Sequence, residues 1–288
     1  MLQVARLAPN LLQEAAERVV EFVRGQLNDD GGARDRAGNS DLYYTVFTLE
    51  NLIALHEDVP TGRVRPYLES FGEGDGLDLV HLTCLARCWS TLGAGALDRA
   101  TASAISDRIE AHRAKDGGYA PVPDADDGTV YHGFLACGAR QDLGMPVPDP
   151  TRLTDAVGSL ALDSGAFANQ RGIPAATTPT TAAAVTLLSR LGAPVPERSS
   201  AWLLERAHPE GGFAASEGAP IPDLLSTATA LHALAAIKTP VDRIKEPSLD
   251  FLDTLWTGKA FCGSWADDAE DCEYVYYALL SLGHLSLA

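Results

Sequence analysis

The chain has 288 residues, room for one large domain or two small ones, and its 46% apolar content supplies a core in either case. A formal charge of −17, with Lys and Arg scattered rather than clustered, excludes a phosphate-backbone footprint and an anionic membrane surface, so no nucleic acid partner is expected. Five cysteines without framework spacing, a start that reads as a helix, and no run of about 18 uncharged apolar residues point to a reduced, cytoplasmic protein with no membrane span.

In chain order, two kinds of helix alternate around glycine-centred loops. An amphipathic, charged helix, LLQEAAERVVEFVRGQL (11–27), leads into the loop DDGGA (29–33) and then the apolar SDLYYTVFTLENLIAL from Ser40. The loop EGDGL (73–77) precedes LDLVHLTCLARCWSTLG. After the charged LDRATASAISDRIEAHRA (97–114), the loop KDGGYA (115–120) leads to DGTVYHGFLACGA from Asp127. DSGAFA (163–168) precedes TPTTAAAVTLLSRLG from Thr178, and PEGGFA (209–214) precedes PDLLSTATALHALAAI from Pro222. The charged VDRIKEPSLDFLDTLW (242–256) and the loop FCGSWA (261–266) bring in DCEYVYYALLSLG from Asp271.

With Ala33, Gly76, Tyr119, Phe167, Phe213 and Trp265 as markers, the loops recur at intervals of 43, 43, 48, 46 and 52 residues, one unit used six times. Charged helices keep one face in water; helices apolar all round are buried. Six such pairs predict an all-α, (α/α)6 toroid over residues 1–288, with an inner ring of six helices inside an outer ring. No period-two segments are found, so essentially no sheet is expected. A linear helical solenoid is the rival, although solenoids carry polar terminal caps and the last helix here is among the most apolar.

In a toroid the inner helices begin at one rim. Their starts carry Asp41, Asp78, the trio Asp124, Asp126 and Asp127, Thr177 or Thr178, Asp223 and Asp271. A single Asp or Thr there is explained by capping alone, worth about 1 kcal/mol. One cap needs one acceptor, and the third repeat has three carboxylates. Such crowding raises the pKa of one of them.

The segments DGGYAPVPDADDGTVYHGFLACG, EGGFAASEGAPIPDLLSTATALHAL and GSWADDAEDCEYVYYALLSLG resemble the prenyltransferase and squalene cyclase repeat of the terpenoid cyclase and protein prenyltransferase β-subunit superfamily, over nearly the whole chain. Asp124-Ala125-Asp126-Asp127 matches the Asp-x-Asp-Asp motif of class II terpene cyclases. By that resemblance Asp126 is the proton donor, with Asp124 and Asp127 as its supports, in the protonation-initiated cyclisation of a linear prenyl substrate. A carboxylic acid does this only in a dry cavity that shields the carbocation from water. Tyr43, Tyr44, Trp89, Tyr131, Tyr274, Tyr276 and Tyr277 on the inner helices offer π faces for the cation, and the expected substrate contacts are Tyr43, Tyr44, His81, Trp89, Tyr131, His132, Tyr274 and Tyr277. Class II cyclases generally place their cavity between two barrels; a chain with one implies a homo-oligomer, a partner subunit or a lone-barrel variant.

Two alternatives stand beside this reading. The resemblance also implies a zinc-dependent prenyltransferase acting on a prenyl diphosphate, whose Asp-x-Cys has its nearest counterpart in Glu270-Asp271-Cys272, with His81 and His132 as candidate histidines. His81, Cys84 and Cys88 also share one helix face, with Asp78 a turn earlier, although buried cysteines behave mostly as small apolar residues. Of the basic residues, Arg34, Arg36, Lys115 and Arg171 lie in loops facing the rim, few for an unaided diphosphate. The cyclase reading needs no cofactor; zinc or magnesium enters with the transferase. The second alternative is a non-catalytic barrel that binds a lipid or a protein.

Overall fold

The computed structural model describes residues 1–288. After two short turns, α1 (Leu2–Ala5) and α2 (Pro9–Leu12), outer and inner helices alternate: α3 (Ala15–Arg24), α4 (Leu42–Ala54), α5 (Thr61–Glu69), α6 (Leu79–Thr91), α7 (Arg99–Glu110), α8 (Val130–Asp142), α9 (Pro150–Gly158), α10 (Thr178–Arg190), α11 (Ser199–Leu204), α12 (Leu224–Ala236), α13 (Asp242–Thr254) and α14 (Cys272–Leu285). Each inner helix packs on the next, from α4 through α6, α8, α10 and α12 to α14, and α14 returns to α4. That last contact closes the ring and removes the linear solenoid. The fold is the α/α toroid. No helix is long and apolar enough to cross a membrane, and all five cysteines are unpaired.

The alternation follows from composition. The inner helix α12, LLSTATALHALAA, buries residues on both its flanks, whereas the outer helix α3 buries only Val19 and Val23. Inner helices therefore exchange apolar surface with two inner neighbours and an outer layer, while outer helices face water on one side.

The glycine loops are the joints. In the first, β1 (Ala33–Arg34) pairs antiparallel with β2 (Ser40–Asp41); in the fifth, β3 (Phe213–Ala214) pairs with β4 (Pro222–Asp223). These two-residue ladders and a few isolated bridges are all the sheet in the chain, in keeping with the expectation of essentially none. They are too short to leave a period-two pattern, and their role is to set the residue that caps the inner helix: the marker Ala33 lies opposite Asp41, Tyr119 opposite Thr129 and Phe213 opposite Asp223. A threonine inside the inner helix fixes the marker from below, with Thr45, Thr181 and Thr227 Oγ1 accepting from the N–H of Ala33, Phe167 and Phe213 at 2.8, 3.1 and 2.9 Å. In the sixth loop the residue that bridges back to the end of the preceding outer helix is Phe261, across from Trp256, while Ser264 bridges to Asp223 and Asp267. The expected marker Trp265 lies four residues on, at the surface, where its Nε1 donates to Thr254.

The loop glycines press against the following outer helix. Gly211 has φ +92°, and a Cβ there would lie 1.8 Å from the Pro247 carbonyl oxygen of α13. Only glycine combines that backbone angle with that approach.

Candidate functional site

The inner helices all begin at one rim, as expected, and five of the six expected caps are in place. Asp41, Asp78, Thr177, Asp223 and Asp271 each accept a hydrogen bond from a backbone N–H of the first turn. The third repeat differs. Its cap is Thr129, whose Oγ1 accepts from His132 N at 3.1 Å.

The three crowded aspartates lie ahead of that cap, on a segment that doubles back on residues 115 and 116 through Lys115 N to Ala125 O and Asp116 N to Asp126 O. All three are exposed. Asp126 accepts from Lys115 Nζ at 2.7 Å, and this hydrogen bond holds its carboxyl below the usual carboxylate range. Asp127 is paired with Arg171 at 3.0 Å, and Asp124 has φ +59° in the turn. The expectation that Asp126 is a protonated acid supported by Asp124 and Asp127 is therefore corrected. Mutual repulsion raises a carboxyl pKa where no cation answers it, and here Lys115 and Arg171 answer it in open water.

The carboxyl that faces the barrel interior is elsewhere. Below the rim lies a cavity of about 250 Å³ to which all six inner helices contribute. Its α4 and α14 wall is aromatic: the Phe47 ring centroid lies 5.0, 5.5 and 5.7 Å from those of Tyr43, Tyr276 and Tyr277. Tyr131 and Phe134 of α8 contribute, and Val80, Cys84, Leu135, Ala183 and Leu225 are among the rest of the lining. One carboxyl lines this space, that of Glu273 in the first turn of α14. Tyr43 Oη donates to Glu273 Oε1 at 2.6 Å. Burial pushes the Glu273 carboxyl above the usual carboxylate range, against the opposing pull of the Tyr43 hydrogen bond. The arrangement is a carboxyl whose protonated form is favoured by burial, facing a chamber walled largely by apolar and aromatic side chains.

Of the expected contacts, Tyr43, Tyr131 and Tyr277 line the cavity; Tyr44, His81, Trp89, His132 and Tyr274 do not. Tyr44 remains near the rim, where its carbonyl accepts from Cys272 Sγ. His81 sits between two caps, with Nδ1 2.8 Å from Asp78 and Nε2 3.3 Å from Asp41. Trp89 faces outward beneath Arg65. His132 is tied to Thr129 at 2.8 Å, and Tyr274 to Arg36 and Asp267 at 2.8 and 2.7 Å. The reason is angular: only the positions of an inner helix that turn toward the axis see the cavity. Glu273 is the residue that the sequence reading missed. Its signal was an acid one helical turn from Tyr276 and Tyr277 on an otherwise apolar helix.

The residues named for a zinc site are not brought together. No group of three or more His, Cys, Asp or Glu side chains is gathered in a way that holds a metal ion. Glu270 is paired with Lys259 at 2.9 Å, and the Sγ atoms of buried Cys272 and Cys88 point to the carbonyls of Tyr44 and Leu42. The rim cations are also engaged: Arg36 with Asp271 at 2.9 Å, Lys115 with Asp126, Arg171 with Asp127, and Arg34 with the Gly25 carbonyl.

A closed ring of helical hairpins around an apolar central chamber defines the class as an α/α toroid. Residues 10–85 and 181–287 match the prenyltransferase alpha-alpha toroid domain, and the chain belongs to that family. No curated protein matches it in sequence. Among solved structures it is similar to the type II terpene cyclase MstE from Scytonema, at 14% identity and a TM-score of 0.65 over 97% of this chain and 98% of that one. It is also similar to protein geranylgeranyltransferase-I from Candida albicans complexed with GGPP, at 17% identity and a TM-score of 0.56, over 98% and 83%. A third likeness is to the GH76A alpha-1,6-mannanase from Salegentibacter sp. HEL1_6, at 12% and 0.67, over 95% and 98%. At such identities the likeness is one of fold.

Proposed function

We propose that the protein is an isoprenoid-processing enzyme of the class II terpene cyclase kind, closing a ring in a linear prenyl chain by adding a proton to it inside the barrel. The observation that carries this reading is the aromatic chamber with one lining carboxyl, Glu273, held 2.6 Å from the Tyr43 hydroxyl and pushed by burial toward its protonated form. The Glu273 proton adds to a terminal alkene carbon, leaving a tertiary cation. The π electrons of a neighbouring alkene attack that cation and form the ring bond. A proton then leaves the carbon beside the new cation for the Glu273 carboxylate, so product and substrate are isomers. The faces of Tyr43, Phe47, Tyr276 and Tyr277 stabilise the cations, and the apolar lining keeps water from quenching them.

The likeness to MstE, solved with geranylgeranyl dihydroxybenzoate as substrate, supports the reading. That cyclase chain is covered almost completely by this one, so a lone barrel is compatible with cyclase chemistry. Hydrolysis of a glycoside, raised by the mannanase likeness, calls for two carboxyls flanking the scissile bond, and the chamber has one. Incubating the protein with linear isoprenoids in deuterium oxide tests the proposal. A cyclic isomer carrying deuterium is expected, with turnover at least about a hundredfold lower in Glu273→Gln, the usual worth of a positioned acid, and unchanged in Asp126→Asn. Absence of a cyclic product, or Glu273→Gln as active as the parent, overturns it.

A further inference from the structure

A second cavity, of about 360 Å³, opens at the far end of the barrel. Met1, Arg87, Phe134, Leu135 and Tyr276 line both it and the central chamber, so they form a floor between the two. The two spaces differ in character. Above the floor the lining is mostly aliphatic and aromatic and its charged side chains are Glu273 and Arg87 alone, whereas below it are Glu50, Asp142 and Arg190 as well. Arg87 Nη2 donates to Glu50 Oε1 at 2.6 Å. This pair is already largely shielded from water, so a hydrocarbon pushed through the floor would have to part it, and leaving a buried charge without its partner is costly. The apolar part of a ligand therefore stops at the floor.

The size of the upper chamber then sets a length. A cavity of about 150 Å³ takes up benzene, which is about 25 Å³ per carbon. On that scale 250 Å³ encloses about ten carbons. Resting on the isoprenoid reading above, we propose that the chain folded inside the barrel is two isoprene units long, and that the substrate is an acyclic ten-carbon isoprenoid with two alkenes. Two alkenes allow one ring: the first takes the proton, the second closes the bond, and loss of a proton leaves a monocyclic isomer.

Length and chemistry are tested separately by calorimetric titration with geraniol, farnesol and geranylgeraniol, alongside product analysis. Each methylene moved from water into an apolar site is worth about fourfold in affinity, so a third isoprene unit held inside would tighten binding by roughly a hundredfold or more. The expected result is that geraniol binds and that the longer alcohols gain less than about tenfold over it. A larger gain, or no binding by any of the three, overturns the ten-carbon assignment. Geraniol that binds without being cyclised overturns the cyclase reading and leaves the length standing. Phe134→Ala, which removes the ring shared by both cavities, is expected to favour farnesol over geraniol by a further tenfold or so; an unchanged ratio in a variant whose thermal unfolding remains cooperative overturns the role of the floor. The parent titrations decide the length even where that variant does not fold.

Discussion

Tyr43→Phe isolates the hydrogen bond that tunes the proposed acid. The Tyr43 hydroxyl, 2.6 Å from Glu273 Oε1, favours the ionised carboxyl and so opposes the upward push of burial. Deleting it leaves burial unopposed by that donor, and the Glu273 pKa rises further. A hydrogen bond to a charged group contributes about 1.5–3 kcal/mol, and one pKa unit corresponds to about 1.4 kcal/mol. For a half-buried carboxyl the lower end applies, a rise of about one unit. A general acid works in its protonated form, so turnover is high below its pKa and falls as pH rises through it. The descending limb of the pH–rate profile should therefore move up by about one unit in Tyr43→Phe. The infrared carboxyl stretch, followed in a titration compared with Glu273→Gln, should move in the same direction without relying on turnover. A limb that stays in place or moves to lower pH would refute the reasoning, because Tyr43 would then not be stabilising the carboxylate.

The glycine joints and the buried histidines give two further expectations. Gly211→Ala should cost about 3 kcal/mol or more, because its Cβ meets the Pro247 carbonyl and its φ is positive, whereas Gly218→Ala, at φ +76° in open space, should cost about 1 kcal/mol; equal losses in chemical denaturation would count against the steric account. His232 and His284, whose Nδ1 and Nε2 are 3.0 Å apart, are pushed down by burial from 6.5 to about 3 and about 4. The unfolded chain then binds protons first on acidification, so stability should hold above about pH 6.5 and decline as pH falls toward 4. Urea midpoints across that range should fall more steeply for the parent than for His284→Gln, and parallel slopes would be the contrary result.

Much of the fold was legible in the sequence because its repeat is written in residues that resist substitution: a glycine where the loop touches the next helix, an aspartate or threonine where the inner helix begins. Asp41, Asp78, Thr177, Asp223 and Asp271 cap as read. The third repeat misled because Asp124, Asp126 and Asp127 imitate a cap while the smaller Thr129 performs it. Charge crowding was visible in one dimension, but Lys115 and Arg171, the latter 44 residues from its partner Asp127, neutralise it in three. Glu273 was passed over for the converse reason: it stands alone in sequence, and the depth that perturbs it comes from the facing wall of α4. Side-chain direction around a uniformly apolar helix is likewise not written in composition, which is why Tyr277 faces the chamber and Tyr274 the rim.

The closure of the ring has a consequence for the life history of the chain. Tyr43 and Glu273 are 230 residues apart, and the same seam joins Arg36 to Asp271 and the Asn51 amide to the Cys272 carbonyl. During synthesis the first five hairpins can form with half of the acid's surroundings in place and no acid. The chamber and the Tyr43–Glu273 pair come into being together, when the sixth hairpin docks against the first. An unfinished or clipped chain thus lacks the pair that the proposed chemistry requires, and under that proposal activity would report completed assembly. The same seam fixes the number of hairpins, since a seventh inserted between α14 and α4 would separate the hydroxyl from the carboxyl it tunes.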